Sequence, residues 1–99
     1  MLNSRTDVLS IYAGQRTLSV QAGYIIGYNF TISVPSGYKI IGVSSVELAV
    51  ANNLDSYVIV KNFSYNNFTN SLLINIKSLA SESTLSVTVT AYVLLGLKS

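Results

Sequence analysis

The sequence predicts an all-β fold, an antiparallel β-sandwich or jelly roll of about seven to eight strands, on three observations. Apolar and polar residues alternate with period two in several segments. Turn-forming residues recur about every ten positions. No segment carries an apolar stripe of helical period, and short strands between regular turns suit a two-sheet architecture. The 99 residues suffice for one hydrophobic core, so residues 1–99 are read as a single domain.

Each element follows from its local pattern. Asp7 to Ala13 and Thr17 to Val20 read as a hairpin about Gly14-Gln15, and Gln21-Ala22-Gly23 turns the chain into the next strand. In Tyr28-Asn29-Phe30-Thr31-Ile32-Ser33-Val34 every second side chain is apolar and the others are small and polar, the pattern of a half-buried strand. Val34-Pro35-Ser36-Gly37 stops it, because proline cannot donate to a ladder and glycine tolerates positive φ. Lys39 to Val50 is long enough for one bent strand or two short ones, with Gly42 or Ser44-Ser45 at the bulge. Asn52-Asn53-Leu54-Asp55 forms a loop. Tyr57 to Lys61 and Leu72 to Lys77 are two more strands, with Val58 and Val60 on one face of the first and Leu72, Ile74 and Ile76 on one face of the second. The segment Asn62 to Asn70 between them is a turn or an exposed loop carrying aromatics. Ser78 to Glu82 forms either a helical turn or a loop. The last strand, Leu85 to Val93, puts Leu85, Val87, Val89, Ala91 and Val93 on one face and hydroxyl residues on the other. Leu94-Leu95 breaks the alternation, which predicts cover on both faces there.

Composition narrows the function classes. Hydrophobic residues make up 49% and charged residues 10% of the chain, against about 25% charged in an average soluble domain. Mean hydropathy is +0.47. So few charges imply that Ser, Thr and Asn provide solubility and that surface is hidden in an assembly. The net charge of +2 comes from six basic residues, no two closer than eleven positions. Nucleic-acid binding relies on clustered Lys and Arg, so it is not expected. The longest charge-free run, Thr17 to Tyr38, contains Gln21, Asn29, Pro35 and three glycines, which argues against membrane insertion. The first seven residues lack the apolar stretch of a secretory signal, so secretion by that route is not expected.

The chemistry-bearing residues are sparse. The chain has no histidine and no cysteine, which removes His-based triads, thiol nucleophiles and the commonest metal ligands. Asp7, Glu47, Asp55 and Glu82 are far apart in sequence and read as solvated carboxylates. No catalytic residue, no metal ligand and no cofactor is therefore assigned, and the chain is read as not being an enzyme. Asn52-Asn53-Leu54-Asp55 offers a few oxygens but lacks the charge density of a calcium loop. The triplets Asn29-Phe30-Thr31, Asn62-Phe63-Ser64 and Asn67-Phe68-Thr69 match the glycosylation rule, as an Asn-rich chain does by coincidence. Seven tyrosines and no tryptophan suit both sheet packing and contact with sugar or protein. The candidate ligand-binding set is Phe63, Tyr65, Asn66, Asn67 and Phe68, because these aromatics lie in a polar segment with nothing local to bury them. The alternative is that they fold back over an open end of the core.

The run Ile32-Ser33-Val34-Pro35-Ser36-Gly37-Tyr38-Lys39-Ile40-Ile41-Gly42-Val43 resembles a segment of small β-sandwich domains in tail, baseplate and fibre proteins of phages and prophages of Gram-positive bacteria. Leu73 to Lys77 and Thr84 to Leu94 are similar to the last two strands of those domains. The resemblance covers about Tyr28 to Leu94. It implies a virion structural protein (tail, baseplate or head-fibre component), a homo-oligomer with a trimer favoured, located in the virion with other virion proteins as partners and a host surface polysaccharide as a further contact. It transfers no binding residues, because the shared motif is a turn and a strand. The chain also lacks the repeats or coiled coil that usually attach such domains to a fibre. A monomeric carbohydrate-binding module, using the aromatics of Phe63 to Phe68, is the competing expectation.

Overall fold

A computed structural model describes residues 8–54 and 57–98. Within them the chain forms six strands: β1 (Val8–Val20), β2 (Ile25–Thr31), β3 (Tyr38–Val50), β4 (Val58–Asn66), β5 (Ser71–Ser78) and β6 (Leu85–Leu97). A 3-10 turn, Ala51–Asn53, follows β3. The strands make two antiparallel three-stranded sheets, one ordered β1-β6-β3 and the other β2-β5-β4. The inward faces of both sheets contribute to one core, and the short axis of 17 Å is what two sheets stacked about 10 Å apart occupy.

The central strands carry the core because they are flanked on both sides. Along β6, Val87, Val89, Ala91, Val93 and Leu95 are fully buried, and along β5 so are Leu72, Ile74 and Ile76. The outer face of the first sheet is held by uncharged polar pairs. Thr17 and Thr88 hydroxyls meet at 2.7 Å, the Gln15 amide donates to Thr90 Oγ1 at 2.8 Å, and Ser10 and Ser44 hydroxyls meet at 2.8 Å. Beside them the rings of Tyr12 and Tyr92 pack edge to face at 5.6 Å. This hydroxyl lattice replaces the charges that the composition lacks.

Three of the edge strands are bulged, as edges commonly are. β1 has its extra residue between Tyr12 and Gly14. β3 has one between Ile40 and Gly42 and another between Val43 and Ser45. β4 has one between Val60 and Asn62. Each bulge moves the inward face to residues of the other parity. The two in β3 cancel, so Ile40, Val43, Val46, Leu48 and Val50 all pair with the buried row of β6.

The expected strand count of seven to eight is corrected to six. The predicted first hairpin does not exist, since β1 runs unbroken through Gly14-Gln15 and pairs with β6 along its whole length. Gly14 bends no chain back; it makes room, because a Cβ there would stand 2.8 Å from Phe30 Cδ1. The predicted loop Asn62 to Asn70 is also corrected: β4 continues to Asn66, leaving only 67–70 as the turn. Asp7 and Asp55 lie outside the described residues. In the Pro35-Ser36-Gly37 segment, Tyr38 N–H donates to the Pro35 carbonyl at 3.2 Å and Gly37 has φ +88°, so this motif is a turn into β3.

Candidate functional site

The sequence-predicted residues lie along β4 and its turn into β5, but they divide into two groups. Phe63 pairs with Ile74 and Tyr65 with Leu72 across the ladder, and Val60 pairs with Ile76. Directly opposed residues share a face, so Val60, Phe63 and Tyr65 form an inward-facing row. Their partners on β5 are fully buried, whereas Val60 is 36%, Phe63 48% and Tyr65 40% exposed. The first sheet thus covers β5 but leaves the inward side of β4 open. Only Val58, at the start of β4, is buried.

Asn66 and Asn67 have local structural work. Asn66 Oδ1 accepts from the N–H groups of Phe68 at 2.7 Å and Thr69 at 3.3 Å, closing the turn. Asn67 reaches to the other sheet, where its Oδ1 accepts from Ile40 N–H at 2.8 Å and its Nδ2 donates to the Ile40 carbonyl at 3.0 Å. This pair occupies the edge of β3 and ties the β4–β5 turn to it. Phe68 at the turn tip is fully exposed. Phe68 therefore does not close over the end of the core, and the set is not one convergent pocket.

Two further polar ties join the sheets. Tyr28, fully buried on β2, donates its hydroxyl to the Val87 carbonyl on β6 at 2.9 Å. Burial raises the pKa of its phenol above the ordinary value of 10.0. Arg16 pairs opposite inward-facing Val89, and its guanidinium donates to the Asn29 carbonyl on β2 at 3.3 Å. Of the edge strands, β2 is thus capped at Asn29 and β3 at Ile40. Among the described residues β4 has no such side-chain cap.

Sequence reasoning missed Val60 as a member of the exposed row. Strict alternation groups Phe63 and Tyr65 with Ile59 and Lys61, and only the bulge before Asn62 brings them onto the face of Val60. It also missed a cavity of about 220 Å³ at the opposite end, where the connections β3–β4 and β5–β6 meet around Tyr57 and Glu82. No group of three or more acidic residues able to hold a metal occurs among the described residues, and no helix of the described residues is long and apolar enough to cross a membrane. Comparison with protein families, curated proteins and solved structures finds no match.

Proposed function

We propose that the chain is a non-catalytic structural module of a virion, built as a six-stranded sandwich of jelly-roll connectivity, that assembles with copies of itself at the open side of β4. The observation that carries the assembly reading is the row Val60, Phe63 and Tyr65, inward-facing yet 36–48% exposed. An aromatic side chain buries roughly 150–250 Å². Covering the exposed half of Phe63 alone therefore contributes about 2 kcal/mol at 25 cal/mol per Å². A second copy suits this row because the chain has few charges to keep uncapped apolar edges apart.

The connectivity adds support. Strands 1 and 6 pair, strands 2 and 5 pair, and the chain changes sheet at every connection except the β4–β5 turn. This is a jelly roll reduced by one hairpin, an architecture found in viral capsid and lectin domains. The resemblance of Ile32 to Val43 to phage tail and fibre domains points to the virion among these settings.

Light scattering during gel filtration tests the reading. The expected result is a concentration-independent trimer near three times 10.7 kDa, converted to monomer by Phe63→Lys/Tyr65→Lys with the β-sheet circular dichroism retained. A stable wild-type monomer would remove self-assembly and leave the monomeric carbohydrate-binding module as the better account.

A further inference from the structure

We propose that the cavity around Tyr57 and Glu82 is a binding site for a single pyranose ring of a neutral saccharide. It lies at the end of the molecule opposite the β4–β5 turn and is independent of self-assembly. Its volume of about 220 Å³ is below the roughly 300–1,000 Å³ typical for drug-sized ligands, which limits the occupant to about one ring. The base is apolar, formed by Leu85 of the core with Leu54 and Ala80. The rim is polar, formed by Tyr57, Ser81, Glu82 and Ser83.

The rim is held in place through the backbone while its side chains stay available. Tyr57 N–H donates to the Leu54 carbonyl at 3.0 Å, and the Tyr57 carbonyl accepts from Leu79 N–H at 2.7 Å, which joins the two connections. The buried Ser78 hydroxyl accepts from Ala80 N–H at 3.2 Å and fixes the entry to the second. Among the described residues, none of the side chains of Tyr57, Ser81, Glu82 and Ser83 has a hydrogen-bond partner within the protein.

These groups match a sugar in particular. A carboxylate accepts two hydrogen bonds at once, as adjacent ring hydroxyls donate them, and serine hydroxyls both donate and accept. A tyrosine presents an apolar ring face for C–H groups and a polar hydroxyl at its edge. Among the described residues no cation lines the cavity, so Glu82 disfavours phosphate and carboxylate ligands. A simple ammonium ligand would leave the serines unused.

The test is a titration of the 15N-labelled chain with glucose, galactose, mannose, N-acetylglucosamine and rhamnose, followed by amide chemical shifts, with choline as the competing cation. The expected result is saturable shifts at Tyr57 and Ala80 to Leu85 with at least one sugar. Binding should weaken at least about tenfold in Glu82→Ala, which removes a charge-assisted acceptor, and in Tyr57→Ala. Glu82 is exposed, so its variant keeps the fold even where Tyr57→Ala does not. The proposal is overturned by no saturable shift with any sugar, by shifts confined to Phe63 to Phe68, by affinity unchanged in Glu82→Ala, or by saturation with choline alone.

Discussion

Replacing Asn67 by alanine removes the one side chain that, among the described residues, hydrogen-bonds the β4–β5 turn to the edge of β3. Two hydrogen bonds are lost, to Ile40 N–H at 2.8 Å and to the Ile40 carbonyl at 3.0 Å. A typical hydrogen bond contributes about 1 kcal/mol net, and a buried polar group left without a partner costs about 1–3 kcal/mol. The Ile40 side chain is buried, but the turn beside it is exposed, so water replaces part of the loss. The expected destabilisation is about 2–3 kcal/mol, read as a lower urea midpoint at unchanged slope and fixed protein concentration. Asn67→Asp sharpens the test, since a carboxylate still accepts from Ile40 N–H but sets a second acceptor against the Ile40 carbonyl. Only the protonated acid restores the donor, so its folded pKa is raised above about 3.9. The restored stability is then fully present below that value and is lost as pH rises through the folded pKa. The aspartate variant should thus gain on the alanine variant with acidification, opposite to an ordinary surface carboxylate. A cost for Asn67→Ala below about 0.5 kcal/mol, the range of neutral surface substitutions, refutes the argument.

Gly14→Ala should destabilise by about 1–3 kcal/mol through overpacking, because the new methyl would meet the ring of buried Phe30; the double variant with Phe30→Leu should cost clearly less than the sum of the two singles. Tyr28→Phe should cost about 1 kcal/mol for the lost bond to the Val87 carbonyl. Because burial raises the Tyr28 pKa, the unfolded phenol ionises first, near 10. Wild-type stability is therefore retained below that pH and falls as pH rises through the folded value, and the melting temperature of Tyr28→Phe should depend less on pH above 10.

The half-buried strands were legible because their alternation is uninterrupted: Leu85 to Val93 and Leu72 to Ile76 place their apolar residues inward as the period-two pattern predicts. For β3 the sequence points to one bulge, at Gly42 or at Ser44-Ser45, and the strand has one at each place. Gly14 misled because a glycine that relieves a close contact looks, in one dimension, like a glycine that reverses the chain. The candidate residues on β4 stand out in the sequence as aromatics in a polar setting, and the structure leaves Phe63 and Tyr65 half-exposed on the inward side of that strand. What escaped was the role of Asn67, whose partner Ile40 is 27 positions away, and the cavity, whose two walls come from separate connections. Neither long-range juxtaposition leaves a local mark.

The pairing of Val8 with Gly96 has a consequence for how the molecule comes into being. β6 is made after the other five strands, yet it lies between β1 and β3 and supplies the ladder partner of both. Until it arrives, the first sheet has two strands on either side of a gap, and the rows of β1 and β3 that will face the core have no central strand beside them. Closing so long a loop delays the reward of its contacts. The nascent chain therefore passes through a stage in which β1 and β3 can pair with strands of neighbouring chains, and the low charge of the chain makes that stage the one most open to mispairing.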